Sequence, residues 1–113
     1  MPRRLALLTS TALLALAACS STPRQPEPLT SLHLAGHTAQ TAVFAARGPW
    51  TLTYRYDCSA MHKPAPITIT DNGRVLLNES DIAGFGVSMQ TTTGTQRLEV
   101  SSTCSWVVDV SRN

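Results

Sequence analysis

Three kinds of side chain in this 113-residue chain could do chemistry: three cysteines, three histidines and seven carboxylates. His33 and His37 stand four apart, a spacing that would aim both at one metal from the face of a helix. Their flanks, Leu32-His33-Leu34 and Ala35-Gly36-His37-Thr38, read as strand and turn, where that spacing separates them, so both are expected as exposed loop or turn histidines. His62 lies beside Lys63 in a proline-rich loop with Pro64 and Pro66. The carboxylates are scattered singly, with no pair placed for acid–base work. No serine elbow, phosphate-binding glycine loop or HExxH run occurs. The expectation is a non-catalytic protein without metal or cofactor.

The cysteines are more informative. Cys19 closes Leu16-Ala17-Ala18-Cys19, which follows an apolar stretch opened by Arg3 and Arg4. Basic start, apolar middle, small residues and then cysteine is the layout of an exported precursor. The run resembles the lipobox of bacterial lipoproteins. That resemblance implies removal of residues 1–18 and acylation of Cys19. The competing reading is a transmembrane helix, but only 14 residues run from Leu5 to Ala18, and Thr9, Ser10 and Thr11 interrupt them. A spanning helix needs about 20 apolar residues. Pro2 and Leu5-Ala6 around the arginine pair fit twin-arginine export poorly.

With Cys19 acylated, Cys58 and Cys104 remain as a pair in an oxidising setting, where they would bridge. The alternative is two free buried thiols. A bridge across their 46-residue separation would contribute about 4 kcal/mol on the chain-entropy estimate. No CxxC pair suggests thioredoxin-like redox chemistry.

Loss of Arg3 and Arg4 takes nine Lys+Arg to seven, equal to the seven Asp+Glu. A neutral mature chain has no electrostatic footprint for nucleic acid and no attraction to anionic lipid. Membrane contact should then come from the acyl chains, on the exported side of the cell membrane or the outer membrane. Ser20 after the cysteine favours the outer membrane where there is one, as the lipoprotein resemblance implies.

Residues 19–30 read as the lipidated cysteine and a proline-rich tether. Pro23, Pro26 and Pro28 favour an extended chain, and residues 20–30 would reach roughly 34 Å at about 3.1 Å each. Residues 31–113 read as one domain with β texture throughout. From Trp50 to Cys58 large apolar and polar residues alternate, placing Trp50, Leu52, Tyr54, Tyr56 and Cys58 on one face. Ile67-Thr68-Ile69-Thr70 alternates before Asn72-Gly73, a strong hairpin signal, and Arg74-Val75-Leu76-Leu77 returns. Phe85, Val87 and Met89 alternate, as do Leu98, Val100, Cys104, Trp106, Val108 and Val110. Leu32-His33-Leu34 and Thr41-Ala42-Val43-Phe44 are weaker strands, and Ala39–Ala46 is the only place where helix competes. Seven or eight short strands predict an all-β fold, a small antiparallel β-sandwich of jelly-roll or CUB-like type stapled by one disulfide. Trp50, Leu52, Tyr54, Ile69, Leu98, Val100, Trp106 and Val108 are its expected core, with both tryptophans near the bridge.

Gly48-Pro49-Trp50, Tyr54-x-Tyr56-Asp57-Cys58-Ser59 and Cys104-Ser105-Trp106-Val107-Val108-Asp109-Val110 resemble small secreted or lipid-anchored bacterial β-sandwich proteins with a Trp…Tyr-Asp-Cys…Cys-x-Trp plan. The likeness covers residues 47–110 and implies strand, bridge and strand, with no catalytic residues. Tyr56-Asp57-Cys58 is also similar to a fragment of the membrane-bound bacterial lysozyme inhibitors. Their Ser-Gly loop ending in Tyr has no counterpart in Ile82-Ala83-Gly84-Phe85-Gly86-Val87.

The expected function is a cell-envelope lipoprotein presenting a binding or interaction module toward an envelope protein or a glycan. The alternatives are an inhibitor of lysozyme or another hydrolase, with 82–89 as its loop, and a structural spacer. Binding is expected on loops held by a rigid scaffold, here 59–66 and 78–86, with Met61, His62, Lys63 and Phe85 as contact residues. Exposure of Phe44, Tyr54, Tyr56, Phe85 and Trp106 separates a binding module from a spacer.

Overall fold

A computed structural model describes residues 25–113. Cys19 and the lipobox lie outside the described residues. Eight strands follow in order: β1 (Ser31–Gly36), β2 (Gln40–Ala46), β3 (Trp50–Asp57), β4 (Ala65–Asp71), β5 (Arg74–Asp81), β6 (Ala83–Gln90), β7 (Gly94–Ser102) and β8 (Ser105–Arg112). One 3-10 turn, Ser59–Met61, lies between β3 and β4. The Ala39–Ala46 segment resolves as strand, because pairing with β7 and the burial of Phe44 and Ala46 override its alanine content.

The strands form two antiparallel four-stranded sheets, ordered β1-β8-β3-β6 and β2-β7-β4-β5. β1 pairs with β8, β2 with β7, β3 with β6 and β4 with β5. This nesting is one long hairpin rolled until its two halves face each other, which is the jelly-roll arrangement. The innermost hairpin turns at Asn72 and Gly73, with φ of 51° and 82°. Both positive values suit the tight turn that Asn-Gly encodes. Asn72 also ties the hairpin to β7: Arg97 N–H donates to its Oδ1 at 2.9 Å and its Nδ2 donates to the Thr95 carbonyl at 3.0 Å.

Between the sheets lie Trp50, Leu52, Ile67, Ile69, Leu98, Val100, Trp106, Val108 and Val110, all sealed from solvent. Full burial of such side chains contributes roughly 1.5–3 kcal/mol each. Of the expected core only Tyr54 is half-buried, packed against the cluster from its margin. Each indole finds an acceptor: Trp50 Nε1 donates to the Thr92 carbonyl at 3.1 Å, and Trp106 Nε1 to the Thr38 carbonyl at 3.2 Å. Phe44 meets Trp50 edge-to-face, with ring centroids 5.2 Å apart.

Cys58 and Cys104 form a disulfide, both buried, with Cα atoms 4.5 Å apart. It fastens the end of β3 to the β7–β8 turn. Trp106 is two residues from this bridge. Trp50 is not near it, because the length of β3, roughly 26 Å at 3.3 Å per residue, separates Trp50 from Cys58.

Two boundaries differ from expectation. Leu29, expected within the tether, is buried in the core. Its N–H donates to the Ala45 carbonyl and Ala45 N–H donates to the Glu27 carbonyl, both at 2.9 Å. Residues 27–29 thus cover the outer edge of β2. The second difference is at 78–86, which is no loop: β5 runs to Asp81, Ile82 makes the turn, and β6 starts at Ala83.

Candidate functional site

β6 is built inside out. Its even positions, Gly84, Gly86 and Ser88, face inward and carry little or nothing. Its odd positions, Phe85, Val87 and Met89, face solvent, 86%, 64% and 72% exposed. The cause lies on β3. Tyr54 pairs with Gly86 and Tyr56 with Gly84. A Cβ on Gly84 would fall 2.8 Å from the Tyr56 ring, and one on Gly86 would fall 2.6 Å from the Tyr54 oxygen. The two phenols therefore occupy the space that β6 side chains would fill, and glycine under an aromatic ring is a known device of sheet edges. With the inner face taken, the bulky apolar side chains of β6 stand outward.

This outward row borders a shallow groove of about 500 Å³ on the outer face of the β1-β8-β3-β6 sheet. Phe85 and Val87 form one wall, and Thr53, Arg55, Val107 and Asp109 line the rest. Asp109 is engaged by His33 Nδ1 across β1 and β8. Of the five aromatic rings whose exposure separates a binder from a spacer, Phe44, Tyr56 and Trp106 are buried, Tyr54 is half-buried, and Phe85 stands free.

The other expected contacts lie on the β3–β4 loop. Met61 ends the 3-10 turn and packs against the core, so its side chain is only partly available. His62 adopts the left-handed conformation, φ 57°, and its N–H donates to the Ser59 carbonyl at 3.0 Å. His62 and Lys63 are exposed. Cys58 N–H donates to the Ile82 carbonyl at 2.7 Å, which places the start of this loop beside the β5–β6 turn. Phe85 belongs to neither loop: it sits within β6, opposite Arg55.

The shifted titratable groups have local causes. Burial, and then a hydrogen bond to Glu79, push the Tyr56 phenol far above its usual range, and it donates to Glu79 Oε1 at 2.8 Å. Burial, with the Glu79 charge second, raises Tyr54 as well. Asp57 is held below the usual carboxylate range by Ser59, first by its side chain and then by its backbone N–H, which donates to Asp57 Oδ1 at 2.8 Å. Burial raises Asp71, opposed by Arg74 and by the Arg97 backbone N–H. Among the described residues no three His, Cys, Asp or Glu side chains cluster as a metal site, and no helix is long and apolar enough to cross a membrane.

No protein-family model matches this chain, and no curated protein matches it. Among solved structures it is similar to part of a β-glucosidase from Paenibacillus barengoltzii, with a TM-score of 0.47 and 18% identity over 71% of this chain and 10% of that one. The chain thus spans about a tenth of the length of that enzyme.

Val87 and Met89 complete a surface of which only Phe85 is an expected contact. A signal for them existed: Gly84-x-Gly86-x-Ser88 empties one face of the strand, so its bulky neighbours must occupy the other. The stretch 82–89, where a hydrolase inhibitor would need a protruding loop, is mostly strand.

Proposed function

We propose that this chain is a cell-envelope lipoprotein, anchored through acyl chains on Cys19, whose β-sandwich is a non-catalytic interaction module on the exported side of the membrane. The supporting observation is the row Phe85, Val87 and Met89, three large apolar side chains presented together on one outer face. Contiguous exposed apolar area of this kind marks interaction surfaces, whereas single exposed apolar residues are ordinary. The sandwich holds the row rigid, and the tether places it clear of the lipid headgroups.

The test is in-cell cross-linking of the full, membrane-attached chain, comparing wild type with Phe85→Ser/Val87→Ser/Met89→Ser. The module reading expects cross-linked species that the triple variant loses while its amount and disulfide stay unchanged. Cross-linked species that survive the triple variant, or none in either, would reject it.

A further inference from the structure

We infer that the partner of the β6 surface is a second copy of this chain, joined edge to edge through β6 in antiparallel register with Val87 on the two-fold axis. This deepens the interaction-module reading and rests on it.

The Ile82 carbonyl accepts a hydrogen bond from Cys58 N–H, so this carbonyl points at β3 and fixes the register Ile82 opposite Cys58. Backbone direction alternates along a strand in step with side-chain direction. The even residues of β6 therefore pair with β3, and the odd residues Ala83, Phe85, Val87 and Met89 present their N–H and C=O groups to the edge, which no other strand among the described residues pairs. The residues with free backbone groups are the same ones that carry the apolar row.

Such an edge is a template for another strand, and sheet proteins normally blunt it with charge, proline, a bulge or a cover. The other three edges are blunted. Residues 27–29 cover β2. β5 carries Arg74, Glu79 and Asp81, and its pairing with β4 shifts at Ile69/Thr70. β1 has only six residues and turns the His33–Asp109 pair outward. β6 runs eight residues, Ala83–Gln90, without a charge, a proline or a register shift.

The strand is also complementary to itself. Antiparallel pairing about Val87 sets Val87 against Val87 and Phe85 against Met89 of the second copy, so every large apolar side chain meets another. Cross-strand neighbours on one face lie about 5 Å apart and stabilise the pair. With no charged side chain on either β6, no like-charge contact opposes the axis. A lipid surface would receive the side chains but leave the edge N–H and C=O groups unpaired, which hydrocarbon penalises by several kcal/mol per group. A contact through one eight-residue edge leaves the outer faces of the row in solvent and falls short of the roughly 1,600 Å² of a standard stable interface, so the dimer is weak and reversible.

The test traps the pair in membranes of cells making the full chain. Hydrogen-bonded partners lie about 5.5 Å apart at Cα, within disulfide range. Under mild oxidation Val87→Cys should give a covalent dimer as the main species. Met89→Cys, which faces Phe85, should give at least fivefold less, and Val75→Cys on β5 background only. The combined Phe85→Cys/Met89→Cys variant should restore the dimer. Equal trapping at positions 75, 87 and 89 would overturn the register and the pairing. If Val87→Cys instead captures a chain of different mass, self-pairing is wrong while the module reading stands. If it captures nothing and the triple serine variant cross-links like wild type, both readings fail.

Discussion

The phenol oxygen of Tyr54 lies where Gly86 leaves room for it, so close that a Cβ on Gly86 would sit 2.6 Å away. Tyr56 stands in the same relation to Gly84, two residues along both strands. This interlock decides which way β6 faces, and with it what the protein shows to solvent.

The two glycines should respond unequally to alanine. Tyr56 is buried and held by Glu79, and the Glu79 carboxylate is itself 2.9 Å from the added Cβ, so neither can give way easily. Tyr54 is half-buried and can tilt outward. Overpacking costs typically 1–3 kcal/mol. Gly84→Ala should fall in the upper half of that range, about 2 kcal/mol, and Gly86→Ala at about 1 kcal/mol. Urea denaturation gives the comparison, and equal losses would contradict the role of Glu79 in fixing the ring.

Much of the fold was legible in the sequence because strands write themselves in period two. The alternation at Trp50–Cys58, the Asn72-Gly73 turn and the even-numbered series Leu98–Val110 all resolve as expected, and Cys58 and Cys104 pair. The face of β6 was not legible from alternation alone. Phe85, Val87 and Met89 give the same pattern whether they look in or out, and a period of two carries no sign. The sign comes from Tyr54 and Tyr56, some 30 residues earlier in the chain, once β3 and β6 are paired. Leu29 was hidden for a related reason. Its neighbours Pro26 and Pro28 read as tether, and its burial depends on the edge of β2. Met61 reads as free surface in the sequence, but beside the disulfide turn it packs against the core.

Asp71 makes stability depend on pH. The carboxyl is sealed from solvent, its Oδ1 has no hydrogen-bond partner, and its nearest cation, Arg74, is 3.8 Å from the other oxygen. Burial raises its pKa above the ordinary 3.8. A carboxyl raised in the folded state binds its proton before the unfolded chain does. The fold therefore gains stability as pH falls through the raised value, and the gain stops once the unfolded carboxyl protonates near its ordinary value. Asp71→Asn should flatten that dependence between neutrality and about pH 4. Thermal melts of both proteins across this range decide it; parallel curves would show that Asp71 is not the group responsible.

The Cys58–Cys104 bridge closes a 46-residue loop around β4, β5, β6 and β7. A crosslink of that span stabilises by about 4 kcal/mol if its effect is mainly on unfolded-chain entropy. Free-thiol titration of the unfolded, acylated chain should find no reactive thiol. Cys58→Ala/Cys104→Ala should lose about 4 kcal/mol, against a typical domain total of about 5–15 kcal/mol. Two titratable thiols in the unreduced chain would refute the bridge.

The anchor is the premise on which a membrane setting rests, and it has a sharp test. Only Cys19 follows a run of the Leu-Ala-Ala type, and Cys58 and Cys104 are consumed by their bridge. Cells fed a labelled fatty acid should therefore label the wild-type chain and leave Cys19→Ala unlabelled, with the variant either unprocessed or released from the membrane. The outcome also bears on β6. A dimer held through one eight-residue strand edge needs its copies close together. Confinement to one membrane surface raises their effective concentration in the same way that a linker does for joined modules. Removing the acyl chains should then lower the Val87→Cys covalent dimer several-fold at equal expression, without altering the fold. Persistent labelling of Cys19→Ala would displace the anchor to another residue. Full dimer yield in an unlabelled, released Cys19→Ala chain would show that β6 pairs without help from the membrane.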